Sequence, residues 1–209
     1  QQESEEEVVA FTVDRDYLEG EDNSQCHGLP VVPFENVQTA YPPEDYDLFV
    51  AIGYHGLNAA RKQKVDEAQA KGYALSSFIH SAAEVPKDLQ YGCNCFLMNG
   101  IHIHPRVTLG DNVFVWSNAM IGHHSTVGSH CWLTSSCSIS GGVTLGESCF
   151  LAVQASVGHA VAIGESCFLG ANTLVTKNFE AQSVVAKESD KPMRLNSSQF
   201  LRMSAFSEM

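Results

Sequence analysis

Two adjacent histidines, His123 and His124, are the side chains in this sequence best suited to proton transfer. Histidine changes its charge near neutral pH, which makes it the most common general base in enzymes. The pair lies in the stretch Ile-Gly-His-His-Ser-Thr-Val-Gly at residues 121–128. Because adjacent residues on a strand point to opposite faces, we expect the two histidines not to act as a pair on one site. His123 is the candidate base.

A repeat of six residues determines where this base lies in the fold. No helix or flat sheet has a period of six, whereas a parallel β-helix of hexapeptides does, with three hexapeptides and about 18 residues to a turn. An apolar residue occupies every sixth position from 79 to 175, always aliphatic except for Tyr91: Ile79, Val85, Tyr91, Leu97, Ile103, Leu109, Val115, Ile121, Val127, Leu133, Ile139, Leu145, Leu151, Val157, Ile163, Leu169 and Val175.

The period converts distances in sequence into stacking between coils. Residues 18 apart are expected on neighbouring coils, about 4.8 Å apart, so Gly141, His159 and Lys177 follow His123 in one column. The bare backbone of Gly141 and Gly142 leaves room for a substrate beside the base. The Gly141 N–H is then positioned to receive a developing negative oxygen. Lys177 could contact a phosphate, or it could be a solvated lysine at the end of the repeat.

Small residues mark two further positions of the repeat. Five cysteines, two residues before the aliphatic position, are predicted to pack as small apolar side chains: Cys95, Cys131, Cys137, Cys149 and Cys167. Glycines that directly follow the aliphatic position are predicted to occupy corners with positive φ: Gly110, Gly122, Gly128, Gly146, Gly158, Gly164 and Gly170.

Residues 1–78 do not follow the repeat and are predicted to form a small parallel α/β unit of Rossmann-like type. Apolar runs at 8–13, 29–32, 48–52 and 74–79 indicate strands, and residues 58–71 indicate a helix that ends before Gly72. The turn from Gly53 to Gly56 could hold a phosphate at the helix start, or it could be an ordinary tight turn. The candidates for ligand binding on this unit are Asp14, Gly53, Tyr54 and Arg61.

Residues 79–177 are predicted to form the β-helix, and residues 178–209 a tail that crosses the last coil and shields its open edge. The formal charge of −12, from 12 basic and 24 acidic residues, argues against nucleic acid or an anionic membrane as the main partner. No stretch approaches the ~20 apolar residues of a membrane span, and the first residues do not resemble a secretory signal. We therefore expect a cytoplasmic protein.

These features together resemble the sialic acid O-acetyltransferase family, which includes bacterial nucleotide-aminosugar N-acetyltransferases. The resemblance rests on the strand-rich N-terminal unit, the hexapeptide repeat, the Ile-Gly-His-His corner at 121–124 and the Gly-Gly pair at 141–142. It implies a left-handed β-helix and a homotrimer that holds acetyl-CoA between neighbouring subunits, through residues such as Gly141, Gly142, His159 and Lys177. It also implies that His123 is the general base and that the Gly141 N–H holds the thioester oxygen.

The resemblance further implies a sugar acceptor, often nucleotide-linked, near Asp14 and the Gly53 turn. The acceptor's amine or hydroxyl would lose a proton to His123 and attack the thioester directly. Three features depart from the family. His124 replaces the usual acid, so His124 or a backbone carbonyl must orient His123. The strand and glycine-rich loop that open the family's α/β unit are missing before residue 8. Ala-Lys-Glu-Ser at 186–189 replaces the usual Gly-x-Pro-Ala segment.

Two other functions remain open at this stage. A metalloenzyme of the γ-carbonic anhydrase type has the same architecture, and His123 and His159 have the spacing of two of its zinc ligands. The third position is Gly164, so a residue such as His130 would have to complete the three protein ligands of a catalytic zinc. A structural trimer without activity is the other alternative, since fold does not imply function. We predict no metal.

Overall fold

The computed structural model describes residues 6–18 and 24–203 of the chain. Residues 1–5 and 19–23 of the predicted α/β unit, and residues 204–209 of the predicted tail, lie outside this description. Among the described residues, no helix is both long and apolar enough to cross a membrane.

A small α/β unit precedes the repeat. Strand β1 (Phe11–Val13) pairs parallel with β3 (Leu29–Pro33), and β2 (Gln25–Cys26) pairs antiparallel with β3. The described part of the unit also contains two 3₁₀ turns and two α-helices: Arg15–Tyr17, Phe34–Asn36, α1 (Val37–Ala40) and α2 (Ala59–Ala70). The helix predicted at 58–71 is therefore confirmed, with Asn58 at its N-cap. Gly72 follows the helix with φ +92°, as expected for a helix C-terminus.

The strand predicted at 48–52 is reduced to one parallel bridge between Leu48 and Leu75. The cause is the side chain of Asn94, which lies on the β-helix. Its amide oxygen accepts the Val50 N–H at 2.7 Å, and its NH₂ donates to the Val50 carbonyl at 3.2 Å. A side chain of the β-helix thus takes the place of a neighbouring strand, and it joins the two parts of the chain.

The β-helix itself consists of two-residue parallel strands that face each other in three stacks. Within residues 24–203 they number sixteen, β4 to β19 in chain order: Phe78–Ile79, Phe96–Leu97, His102–Ile103, Thr108–Leu109, Phe114–Val115, Met120–Ile121, Thr126–Val127, Trp132–Leu133, Ser138–Ile139, Thr144–Leu145, Phe150–Leu151, Ser156–Val157, Ala162–Ile163, Phe168–Leu169, Leu174–Val175 and Val184–Val185. The predicted β-helix of hexapeptide repeats is confirmed.

The strands form three parallel sheets. We call the sheet β4-β5-β8-β11-β14-β17-β19 the aromatic sheet, because Phe or Trp points outward from it on six successive coils. The others are a five-stranded sheet, β6-β9-β12-β15-β18, and a four-stranded sheet, β7-β10-β13-β16. Each strand from β4 to β18 pairs with a strand 18 residues away, as in Thr126 with Thr144. The repeat aliphatics from Leu97 onward are buried in one continuous core.

Residues with positive φ recur at the corners every six positions, as the repeat predicts, but they are not the glycines that were predicted there. From Asn94 to Asn172, every sixth residue has a positive φ. These positions lie three residues before each aliphatic, so the glycines that directly follow an aliphatic are not the left-handed residues. Close packing explains five of them instead, because a Cβ would lie less than 3.0 Å from a neighbouring coil: Gly110, Gly122, Gly128, Gly146 and Gly164. A Cβ on Gly122 would lie 2.5 Å from the Gly141 nitrogen, and one on Gly146 would lie 2.5 Å from the Glu165 nitrogen.

The five cysteines that precede the aliphatics are buried in the core, as predicted. Burial raises the pKa of both Cys95 and Cys137 to about 11. These thiols are therefore neutral near pH 7, and they pack as small apolar side chains.

The β-helix extends beyond the predicted boundary at residue 177. Ile163 bridges Phe179, and β17 pairs with β19, so Leu169 faces Val185. This last coil is shorter than the others because residues are missing from the repeat between Val175 and Phe179. The tail that follows contains helix α3 (Ser197–Met203), which buries none of its side chains.

Candidate active site

His123 and His124 lie together in a turn between β9 and β10. His124 has a φ of +60°, so the backbone reverses at the pair and both imidazoles project from the same corner. Their Nδ1 atoms are 2.9 Å apart and their rings are perpendicular. The expectation that the two side chains point to opposite faces is therefore wrong, because that rule applies to strands and not to turns. His124 directly contacts the candidate base.

Gly141 lies against the His123 ring, as the 18-residue period predicts. A Cβ on Gly141 would be 2.7 Å from both Cε1 and Nε2 of His123. The next residue, Gly142, has a φ of +71°, and its N–H donates to the His123 carbonyl at 2.8 Å. Within the described part of the chain, the Gly141 N–H has no hydrogen-bond partner. The geometry therefore combines an imidazole nitrogen, a free backbone donor and no side chain between them.

The other members of the predicted column lie less close to the base. His159 is exposed two coils beyond His123, with its ring centre 6.4 Å from that of His123. Lys177 is exposed at the corner where the last coil shortens.

Arg106 is a residue of this corner that the sequence analysis missed. Its Nη1 lies 3.0 Å from Nε2 of His124, on the side away from His123. The signal was available, because Arg106 precedes His124 by 18 residues and so lies on the neighbouring coil. A row of three side chains, Arg106, His124 and His123, therefore occupies the position where the family resemblance implies a histidine and an acid.

The histidines do not gather around a metal position. Among the described residues, no group of three or more His, Cys, Asp or Glu side chains could hold a metal ion. His130, the substitute ligand in the zinc hypothesis, is buried and its Nδ1 lies 3.0 Å from the Asn112 side-chain nitrogen. Burial lowers its pKa, and its contacts indicate a structural role.

Asp14 lies at the end of β1 beside a cavity of about 520 Å³. The ammonium of Lys64 donates to the Asp14 carboxylate at 2.7 Å and to Glu67 at 2.6 Å. Burial alone would lower the pKa of Lys64, but these two hydrogen bonds outweigh burial and raise it. The cavity is open and charged, with these lining residues: Asp14, Asp16, Phe34, Glu35, Lys64, Glu67, Ala70 and Lys71.

Arg61 has a different environment from the expected phosphate contact. Its side chain is fully buried, and it donates to the side chains of Asn112 and Asn58 and to the His130 carbonyl. Its guanidinium also lies over the rings of Phe114 and Trp132. Burial lowers the pKa of Arg61 to about 10, so it stays charged at neutral pH. The contacts favour a structural role, in which Arg61 joins α2 to the β-helix.

The Gly53 turn has the geometry of an ordinary strand-to-helix connection. The N–H groups of Asn58, Ala59 and Ala60 donate to carbonyls of the turn itself, so they are not open to a phosphate. Tyr54 is exposed on one side, and its ring packs on Trp132 and Phe150 of the aromatic sheet.

The two candidate regions lie on different parts of one chain. The α/β unit packs on the aromatic sheet and on its corner with the four-stranded sheet, through Arg61, Asn94 and Tyr54. His123 lies at the corner between the five-stranded and four-stranded sheets. Among the described residues, no hydrogen bond given for the structure joins the unit to His123 or His124.

The chain is similar to known hexapeptide-repeat proteins. A family profile described as bacterial transferase hexapeptide (six repeats) matches residues 92–123. The structure of PerB from Caulobacter crescentus, in complex with CoA and GDP-perosamine, is 28% identical, with a TM-score of 0.71 and coverage of 78% of each chain. The acetyltransferase domain of PglB from Neisseria gonorrhoeae, in complex with acetyl coenzyme A, is 23% identical, with a TM-score of 0.73 and coverage of 83% of each chain.

The predicted resemblance to hexapeptide-repeat sugar acyltransferases is confirmed. The prediction of an acetyltransferase agrees with the same matches, and so does that of acetyl-CoA as cosubstrate. The PglB domain shows the shared fold alone, because its identity to this chain is low. A comparison with curated protein sequences gives no match.

Proposed function

We propose that this protein transfers an acetyl group from acetyl-CoA to an amine or hydroxyl of a nucleotide-linked sugar. The observation that supports this most strongly is the placement of His123 Nε2 against the backbone of Gly141, whose N–H has no partner among the described residues. A base and an oxyanion donor on one side of a bare backbone are what direct acyl transfer needs. The complex of PerB with CoA and GDP-perosamine supports the classes of both substrates.

In the proposed reaction, the acceptor's amine or hydroxyl is the attacking group and the sulfur of CoA is the leaving group. The acceptor nitrogen or oxygen attacks the thioester carbon while His123 takes the acceptor's proton. The carbonyl oxygen becomes negative in the tetrahedral intermediate and accepts the Gly141 N–H. The C–S bond then breaks, the carbonyl forms again, and the proton held by His123 passes to the sulfur of CoA. Cysteine takes no part, since the cysteines of the repeat are buried.

We propose that the acceptor cavity of one subunit and the His123 of a neighbouring subunit together form one active site. The cavity at Asp14 is lined by residues of the α/β unit, whereas His123 lies at the corner between the five-stranded and four-stranded sheets and does not line this cavity. A sugar held near Asp14 would therefore meet the base of a neighbouring subunit. This supports the homotrimer, with the acyl donor bound between adjacent β-helices.

Ligand binding tests the substrate classes before any assay of turnover. A ligand that binds the native state raises its stability by mass action, by about 2.7 kcal/mol at 100 times its Kd. We expect thermal denaturation to shift upward with CoA, and further with the correct nucleotide sugar. Adenosine is the matched control for CoA, because it lacks the phosphates and the pantetheine arm. No shift with CoA would contradict the proposal.

A further inference from the structure

The contact between Arg106 and His124 determines which nitrogen of each histidine carries a proton. A guanidinium has only N–H donors and no acceptor at neutral pH. At 3.0 Å from Arg106 Nη1, the Nε2 of His124 must therefore be the acceptor. Neutral imidazole carries one proton, so the proton of His124 is on Nδ1.

The contact between His124 and His123 then determines which nitrogen of His123, the candidate base, carries the proton. The Nδ1–H of His124 points at Nδ1 of His123, 2.9 Å away. This atom of His123 must accept, so the proton of neutral His123 is on Nε2. Nε2 and Cε1 form the edge of the ring that lies beside Gly141. In this arrangement Nε2 of His123 carries a proton on the side that faces the substrate. It therefore has no free electron pair there.

We propose that Arg106 is a positioning residue that sets the tautomers of His124 and His123, and that base catalysis requires Arg106 to leave His124. This inference rests on the proposed role of His123 as general base. Once Arg106 withdraws, His124 can carry its proton on Nε2 and accept from His123 Nδ1. The Nε2 of His123 then has the electron pair that the acceptor's proton needs. His124 takes over the orienting role of a carboxylate only in this second state.

The arrangement also distinguishes a second histidine at this corner from the carboxylate that the family resemblance implies. A carboxylate next to His123 would fix the basic tautomer permanently, because it can only accept. A second imidazole can either donate or accept, and the exposed Arg106 determines which. A hydrogen bond from a charged donor favours one tautomer by roughly tenfold or more.

Nitrogen-15 NMR of histidine side chains tests the tautomers in the substrate-free protein. Each ring nitrogen gives a different shift with and without a proton, and His123→Gln and His124→Gln assign the signals. At about pH 8, above the ordinary histidine pKa, we expect His124 protonated at Nδ1 and His123 at Nε2. In Arg106→Met we expect a mixture that includes the opposite pair, and in Arg106→Glu the opposite pair alone. Wild-type protein with His123 protonated at Nδ1, or no change in Arg106→Met, would overturn the proposal.

Turnover supplies the second test. We expect kcat to rise by roughly threefold to tenfold in Arg106→Met if freeing the tautomer removes the bias of one charged hydrogen bond. Arg106→Lys keeps a charged donor and should keep the wild-type kcat. The matched control is Arg194→Met, which removes an exposed arginine from the tail and should leave kcat unchanged. A kcat in Arg106→Met that is equal to or below that of wild type would overturn the requirement for release.

The NMR and turnover results separate the two proposals. The tautomers are measured without substrate, so they hold even if no acetyl transfer is found. Conversely, if acetyl transfer depends on His123 but the tautomers are the same in all Arg106 variants, the proposed function stands and the role of Arg106 is wrong.

Discussion

At the scale of residues, the position of His123 beside Gly141 follows from the 18-residue period, whereas the contact of His123 with His124 follows from the turn. The stacking of His123 under Gly141 could be predicted, because residues 18 apart must face each other in any β-helix of this repeat. The pairing of His123 with His124 could not be predicted from alternation along a strand. It depends on the positive φ of His124, which is a property of the corner. Arg106 could have been found by applying the same spacing to His124.

His123→Ala should lower kcat by at least ~100-fold, the low end for loss of a general base. The His123 side chain is exposed, so the folded structure should persist. His55→Ala, which removes an exposed imidazole from the α/β unit, is the control and should keep wild-type turnover. Steady-state kinetics with acetyl-CoA measures both, and a kcat near wild type in His123→Ala would exclude this residue as the base.

Gly141→Ala should lower turnover without unfolding the protein. The new methyl group would lie 2.7 Å from Cε1 and Nε2 of His123, so the ring must move away from the substrate. A displacement of this kind costs roughly 100-fold in rate. Ser140→Ala changes the preceding residue without such a clash and serves as the control. Equal turnover in the two variants would show that the ring does not need its position against Gly141.

At the scale of elements, the α/β unit and the β-helix form one structure through buried polar contacts. The main helix and its end at Gly72 could be predicted from local signals. The loss of the strand at 48–52 could not, because its partner is the side chain of Asn94 from a distant coil. Arg61 is a comparable case. A lone arginine in a helix after a glycine turn suggests a phosphate site, but Asn112 and two rings of the aromatic sheet surround it.

Arg61→Met should destabilise the protein by about 2–4 kcal/mol, because it leaves several buried acceptors without a donor. Urea denaturation measures the free energy of unfolding. Lys62→Met is the matched control, since Lys62 is the next residue of the same helix and is only half-buried. If the two variants are equally stable, Arg61 does not hold the helix to the β-helix.

At the scale of the whole molecule, the repeat and the charge could be predicted from the sequence, but the way one chain meets another could not. The proposed base, His123, is not among the residues that line the proposed acceptor cavity of the same chain. An oligomer in which the acceptor cavity of one subunit lies beside His123 of the next would bring the two together.

We expect analytical ultracentrifugation to give a mass about three times the 22.7 kDa of the chain, as in closed cyclic assemblies with threefold symmetry. Mixing two inactive variants tests whether subunits share sites. His123→Ala lacks the base and Lys64→Glu disturbs the Asp14 cavity, so mixed trimers should regain part of the activity. A monomer with full activity would contradict shared sites.

The central claim is that this chain moves an acetyl group from CoA to a sugar. The most direct measurement is incubation of the purified protein with acetyl-CoA and a panel of nucleotide-linked amino and hydroxy sugars, with mass spectrometry of the products. The account predicts a sugar that carries one added acetyl group for each CoA released, with amine and hydroxyl acceptors told apart by fragmentation. Release of CoA without an acetylated sugar, or no release with any acceptor, would contradict it.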